Sequence, residues 1–311
     1  MPRKIAIIGS GAIGAFYGAR LLASGQEVHF LFHSDIDHVR RHGLRVDSVD
    51  GDMFFPEVNA YGSAEKMPVC DLVIVATKST QNHLLANLLR PVCNENTTVL
   101  LLQNGLNGER LIHDMGFGGP VLGGLCFVCC NKLGPGHIAH LENGKIIIGQ
   151  YRKDEQPAGR TEVQENVAVM FEKAGIPIDR TPDLILSRWH KLLWNMPFNG
   201  LCALLNATTD QVMANQATRD LAYAIMQETQ AGARALGRDL PDATLDAIME
   251  FTDTLAPYKP SMMLDAINRR DMELEGIYGE PIRTAAEHGV EMPRSETLYR
   301  ELQFLNASYR E

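Results

Sequence analysis

Gly9-Ser10-Gly11-Ala12-Ile13-Gly14 has the spacing G-x-G-x-x-G. It follows a short apolar run, Lys4–Ile8, and opens a segment of helical period that ends at Gly25. In that context the three glycines serve a tight turn, a close backbone approach to a pyrophosphate, and close packing of helix on strand. Free N–H groups and the positive end of the helix dipole then face the phosphates. Gly9, Ser10, Gly11, Ala12, Ile13 and Gly14 are therefore read as a dinucleotide-binding loop, an ordinary tight βα turn being the alternative. The choice between NAD and NADP falls at the end of the second strand, where an acid would hold a ribose 2′-OH and a base would accept a 2′-phosphate. This chain has His33-Ser34-Asp35 there, with Arg40 and Arg41 in the helix beyond. His33 and Ser34 can donate to a phosphate. Asp35 argues the other way, unless it or Ser34 is a helix N-cap. The reading favours NADP (NADPH) and leaves NAD open.

A second set lies in Trp189-His190-Lys191-Leu192-Leu193-Trp194-Asn195-Met196-Pro197-Phe198-Asn199-Gly200. Lys191, Asn195 and Asn199 are four apart, so a helix places them on one face in successive turns. Their apolar neighbours imply partial burial and a need for partners. Pro197 removes a helical hydrogen bond and predicts a kink. A kinked helix with a lysine and two amides on one face has the look of a site. The alternative is two amides capping backbone at the kink beside a lysine whose ammonium reaches solvent. Lys78 in Thr77-Lys78-Ser79 and Asn104 in Gln103-Asn104-Gly105 follow apolar strand-like runs. Ligands bind at such strand ends in open α/β sheets.

The elements that must position these groups follow from periodicity. Up to about Tyr151 the chain alternates apolar runs with helical segments: strands at Lys4–Ile8, Glu27–Phe32, 71–77 and Thr97–Leu102, and helices at about 12–24 and 80–89. That rhythm predicts a parallel sheet with helices on both faces. Gly43–Asp47 and Met53–Phe55, around Asp50-Gly51, read as a small hairpin or an irregular excursion. Val121–Cys130 reads as a strand. Asn143-Gly144 reads as the turn of a hairpin between His137–Leu141 and Lys145–Gly149. Arg160–Ala174 is amphipathic, Ile176–Asp179 reads as a last strand, and from Pro182 onward nearly everything has helical period.

The fold class expected is α/β: an N-terminal Rossmann-type doubly wound sheet over residues 1–178, then a mostly helical domain over 179–311. A length of 311 residues suits two domains at roughly 150 residues each. Hydrophobic residues are 45% and charged residues 22%, which excludes long disorder. The net charge of −9 argues against nucleic acid. No apolar run reaches the roughly 18 residues of a membrane span, and the basic-apolar start is too short for a secretory signal. A cytoplasmic protein with no membrane partner is expected. The six cysteines form no regular framework, and the CxxC of Cys126 and Cys129 lies in a predicted strand, so they read as buried core thiols and no metal is expected.

Taken together, these motifs resemble the ketopantoate reductase family. The resemblance rests on the glycine loop, Thr77-Lys78, Asn104-Gly105 and Gly136-His137-Ile138. It continues through Lys191-Leu192-Leu193-Trp194-Asn195 with Asn199, Ser261-Met262-Met263-Leu264-Asp265, and Glu273-Leu274-Glu275-Gly276-Ile277-Tyr278-Gly279. It covers almost the whole chain, and its C-terminal motifs are more specific than the glycine loop. It implies a Rossmann domain followed by a helical domain, with the active site in the cleft between them. The implied activity is NADPH-dependent reduction of 2-dehydropantoate to (R)-pantoate, in pantothenate and coenzyme A synthesis. It further implies Lys191 as general acid and Glu273 as the active-site glutamate. Asn195, Asn199 and Ser261 match substrate-binding positions, and Lys78 and Asn104 match residues near the nicotinamide. Ser261, after Pro260, also reads as a helix N-cap. The family usually carries a basic residue just after the second strand, where this chain has His33. Glu275 is read as a surface charge. The partner implied is a small-molecule 2-keto acid, and a homodimer is compatible with this reading. Two rivals remain: an NAD-linked D-2-hydroxyacid dehydrogenase of the same fold, and a non-catalytic NADPH sensor, which would have lost Lys191 or Glu273.

Overall fold

The computed structural model describes residues 3–117 and 119–310. The chain forms two units. One holds Met1–Gln103 and Gly108–Leu184, the other Asn104–Asn107 and Ile185–Glu311. The last strand, Ile178–Arg180, pairs with Ile146–Ile148 and so stays with the sheet, and the change of unit comes at Leu184, past the expected residue 178.

In the first unit ten strands form one sheet: β1 (Lys4–Ile8), β2 (Glu27–Leu31), β3 (Leu44–Ser48), β4 (Met53–Phe55), β5 (Asn59–Tyr61), β6 (Leu72–Val75), β7 (Thr98–Leu101), β8 (Val121–Gly134), β9 (His137–Gln150) and β10 (Ile178–Arg180). Their order is β4-β3-β9-β8-β7-β6-β1-β2-β5, with β10 beside β9. The run from β8 through β7, β6, β1 and β2 to β5 is parallel. Strand alternation divides β1 between two cores. Ile5 and Ile7 pack with α1 (Ala12–Ala23) and α5 (Glu162–Lys173) on one face. Ala6 and Ile8 pack with α3 (Leu85–Leu89) and α4 (Gly108–Asp114) on the other. Helix α2 (Ile36–His42) follows β2. Thr161 and Gln164 form a capping box that starts α5.

Two local expectations need correction. Asn143-Gly144 is not a hairpin turn. Phe127 pairs with Lys145 and Val128 with Asn143, so Gly144 is an extra residue, a bulge within a continuous β9. The turn joining β8 to β9 is instead at Pro135-Gly136. Positive φ at Asn143 and Gly144 suits a bulge as well as a turn, and here the bulge bends a long hairpin back over α1. Along that arm Phe16 stacks on His140, and Tyr17 donates to the Gly144 carbonyl. The cysteines of β8 are also less buried than expected: Cys126, Cys129 and Cys130 are half-buried, Cys126 and Cys130 at the edge of the core that holds α1. None of the six cysteines is joined in a disulfide. Burial pushes Cys70, Cys93, Cys130 and Cys202 up to about 12, so they stay protonated at neutral pH.

The second unit is helical: α6 (Leu184–Trp194), α7 (Gly200–Leu205), α8 (Thr209–Ala214), α9 (Gln216–Ala235), α10 (Asp242–Thr254), α11 (Ser261–Ile267), α12 (Glu280–Glu287) and α13 (Pro293–Ala307). Its core gathers Trp189, Leu193, Met196, Phe198, Ile225 and Tyr278, all fully buried. Pro197 does not simply kink the helix. Asn195–Asn199 is a π-helical turn between α6 and α7, and Glu275–Gly279 is a second one leading into α12. The wider turn absorbs the missing N–H of proline without breaking the helix. Among the described residues no helix is long and apolar enough to cross a membrane.

Candidate functional site

The glycine loop lies between β1 and α1. Gly9 has φ +96°, and a Cβ there would sit 2.5 Å from the Thr77 amide nitrogen. A Cβ on Gly14 would lie 2.2 Å from the Gly9 carbonyl oxygen. At Gly11 a Cβ would meet nothing within 4 Å, so the space above the helix start is open. The first turn of α1, with Ala12 and Ile13, carries no acidic side chain to occupy its N-terminus. Ser10 Oγ is buried with no hydrogen-bond partner among the described residues. Open space over Gly11, an unsatisfied hydroxyl and an uncompensated helix start fit a dinucleotide pyrophosphate. The Ser10 amide donates to Leu31, which joins the loop to the end of β2. Lys78 is half-buried just after Thr77, and Gln103 bonds both Thr77 and Asn82, bracing the ends of β6 and β7.

At the end of β2, His33 and Ser34 are exposed, whereas Asp35 is buried. Asp35 occupies the N-cap position of α2 but its side chain caps nothing. Its Oδ1 accepts from Lys132 Nζ at 2.7 Å and from Ser34 Oγ at 2.9 Å, and its Oδ2 from the Gly136 amide at 3.1 Å. Arg40 and Arg41 of α2 bond the Ala60 and Asp37 carbonyls. Sequence reading missed Lys132, which stands 97 residues away and arrives on the bent β8–β9 arm. Burial alone would raise the Asp35 carboxyl, but the donors Lys132, Gly136 and Ser34 outweigh it and hold the group below its usual value. A depressed carboxyl contributes stability above its unfolded value near 3.9, and loses it as pH falls through the folded value. The stability gap between wild type and Asp35→Asn should therefore be full at pH 6 and close below about pH 4. Urea unfolding at stepped pH measures it, and a gap independent of pH would show that the charge is not what holds the arm.

In the second unit Lys191, half-buried on α6, donates to Asn104 Oδ1 at 2.9 Å. The segment bearing Asn104 is closely held. Gly105 has φ +94°, and a Cβ there would lie 2.2 Å from the Gly276 carbonyl oxygen. The Leu106 amide donates to that same carbonyl at 2.9 Å. Asn107 donates to Glu280 at 2.7 Å and to Thr284 at 3.2 Å. Arg283 bridges Glu280 to Glu275, and Tyr299 also donates to Glu275, so Glu275 belongs to an exposed ionic network. Gly105→Ala combines left-handed strain with a backbone collision and should cost about 2–4 kcal/mol. Asn104 should then be displaced, lowering both Tm and turnover, with a smaller loss of NADPH affinity because the glycine loop is not touched. Calorimetry with coenzyme titration checks this, and an unchanged Tm would contradict it.

Asn195 and Asn199 are both buried in the π turn. A π turn takes more residues than an α turn, so Asn199 does not follow Asn195 on the strict α-helical face expected from the spacing. Asn199 Oδ1 has no hydrogen-bond partner among the described residues. Tyr278 of the second π turn donates to the Met196 carbonyl at 2.5 Å, and the absent side chain of Gly200 makes room for its hydroxyl. Glu273 is half-buried just before that turn. Ser261 is exposed and is the first residue of α11. The cap position belongs to Pro260, so Ser261 is not the N-cap that the sequence suggested.

These features recur in known proteins. The Ketopantoate reductase PanE/ApbA family model matches residues 5–153, and the C-terminal model of the same family matches residues 183–306. The chain belongs to the ketopantoate reductase family. It is 45% identical over 308 residues to a 2-dehydropantoate 2-reductase of Nostoc sp., covering 99% of this chain and 97% of that protein. The crystal structure of 2-dehydropantoate 2-reductase from Geobacter metallireducens superposes with TM-score 0.92 at 39% identity, over 96% of this chain and 99% of that one. D-mandelate dehydrogenase, solved with NADH and anilino(oxo)acetate, shares the fold: TM-score 0.88 at 22% identity, over 99% and 100% of the chains. As a ketopantoate reductase family member, the protein is an NAD(P)-dependent oxidoreductase with a Rossmann-type unit and a helical unit.

Proposed function

We propose that the protein reduces 2-dehydropantoate to (R)-pantoate with NADPH, as the names of its relatives suggest. The observation that carries the reading is the Lys191 ammonium held on Asn104 Oδ1 at 2.9 Å, on the helix whose next turn contains Asn195 and Asn199. Bound NADPH supplies hydride to the ketone carbon. Lys191 does the rest at the oxygen: its ammonium donates to the ketone, offsets the charge that develops there and gives up a proton. Asn104 takes one of the three N–H donors of the ammonium and so sets its direction. Glu273 binds the distal hydroxyl of the substrate, and Asn195, Asn199 and Ser261 hold its polar groups.

Gly9, Ser10, Gly11, Ala12, Ile13 and Gly14 hold the pyrophosphate, His33 the adenosine end, and Lys78 the nicotinamide end. NADPH is favoured over NADH because Asp35, the acid best placed for a ribose diol, already accepts three hydrogen bonds. The substrate is a small 2-keto acid. The test is coenzyme oxidation over a panel of 2-keto acids with NADPH and with NADH. 2-Dehydropantoate with NADPH should give the highest kcat/KM. A higher value for benzoylformate with NADH would replace the proposal by a mandelate-type dehydrogenase reading.

A further inference from the structure

Resting on the NADPH reading above, we infer that Lys132 is a coenzyme-selecting residue: its ammonium masks Asp35 from the ribose and offers a cation to the adenosine 2′-phosphate. Three observations carry this. The first is position. Asp35 stands four residues beyond Leu31, the end of β2, and Leu31 accepts from the Ser10 amide of the glycine loop. The adenosine ribose of a bound dinucleotide lies at this strand end. The second is occupancy. Lys132 and Ser34 both donate to Oδ1, and the Gly136 amide donates to Oδ2. A carboxylate occupied in this way is not the bare acceptor that a ribose diol needs.

The third observation is which member of the pair faces water. The Lys132 side chain is 38% exposed and that of Asp35 only 7%. The outer surface of the pair is therefore cationic, beside the exposed His33 and the Ser34 hydroxyl. A lone Asp35 would repel a 2′-phosphate, whereas the pair presents an ammonium to it. Selectivity then has both an attractive and a repulsive component, and one residue controls both. The β8–β9 arm delivers Lys132 to this point, and the Gly136 amide at the arm's turn bonds the same carboxylate.

The experiment measures Kd for NADPH and for NADH by nicotinamide fluorescence, for wild type, Lys132→Gln and Asp35→Asn. The wild type should bind NADPH more tightly. Lys132→Gln should weaken NADPH by about tenfold or more, the loss expected for one charged hydrogen bond. It should leave NADH unchanged or tighter, because Asp35 is uncovered. Asp35→Asn, which keeps Lys132 but removes the masked charge, should retain the preference for NADPH. An equal loss for both coenzymes in Lys132→Gln would mean that Lys132 only braces the arm, and would overturn the inference. So would unchanged NADPH binding in that variant, with the NADPH reading itself intact. A wild type that binds NADH at least as tightly as NADPH would overturn the coenzyme reading and the inference together.

Discussion

Lys191→Ala should lower kcat by roughly 10²–10⁴, the range for a lost general acid. Hydride arriving at a ketone carbon leaves an alkoxide that needs a proton at once. An ammonium supplies both the opposing charge and the proton, and Asn104 already holds that ammonium at 2.9 Å. NADPH affinity should not change, because the glycine loop belongs to the other unit. Glu273→Ala should act differently, raising KM more than it lowers kcat. A lysine that merely lies along a helix with its ammonium in solvent would alter stability by under about 1 kcal/mol and leave turnover alone. Pre-steady-state turnover with saturating NADPH, alongside coenzyme titration, separates the two cases. A folded Lys191→Ala enzyme with near-normal kcat would remove Lys191 from the reaction.

The second large effect concerns the distal hydroxyl of the substrate. 2-Ketoisovalerate has the carboxylate and ketone of 2-dehydropantoate but lacks that hydroxyl. A site built to bond a hydroxyl is left with unpaired polar groups when the analogue binds, and such sites discriminate by roughly 10⁴–10⁵. The second unit has groups suited to this. Asn199 Oδ1 is a buried acceptor without a partner among the described residues, and Glu273 is half-buried near the second π turn. 2-Ketoisovalerate should therefore fall below 2-dehydropantoate in kcat/KM by a factor approaching that range, with loss in both kcat and KM. Comparable kcat/KM for the two would show that no group in the site reads the hydroxyl. The substrate would then have to be sought among other 2-keto acids.

Much of this architecture was legible in the chain because it is written locally. A glycine pattern between an apolar run and a helical period is a strand–turn–helix device, and its chemistry follows from backbone N–H groups that any such turn presents. The switch from period 2 to period 3.6 and the four-residue spacing of Lys191 and Asn195 are of the same kind. Other features depended on which distant segments meet. Asn143-Gly144 satisfies a turn and a bulge equally well, and only the pairing of β8 with β9 selects the bulge. Pro197 predicts a defect but not its form. Packing of the Asn195–Asn199 turn against Tyr278 accompanies a π turn there rather than a break. Asn104 follows a sheet strand in sequence, yet it groups with the helical unit, because Gly105 lets the backbone touch Gly276. Asp35 reads as a free acid or a cap until the long arm brings Lys132 onto it. Local sequence determined the elements and the chemical types available. Long-range pairing decided which groups neutralise one another, because charge and hydrogen-bond saturation depend on neighbours that the linear chain does not name.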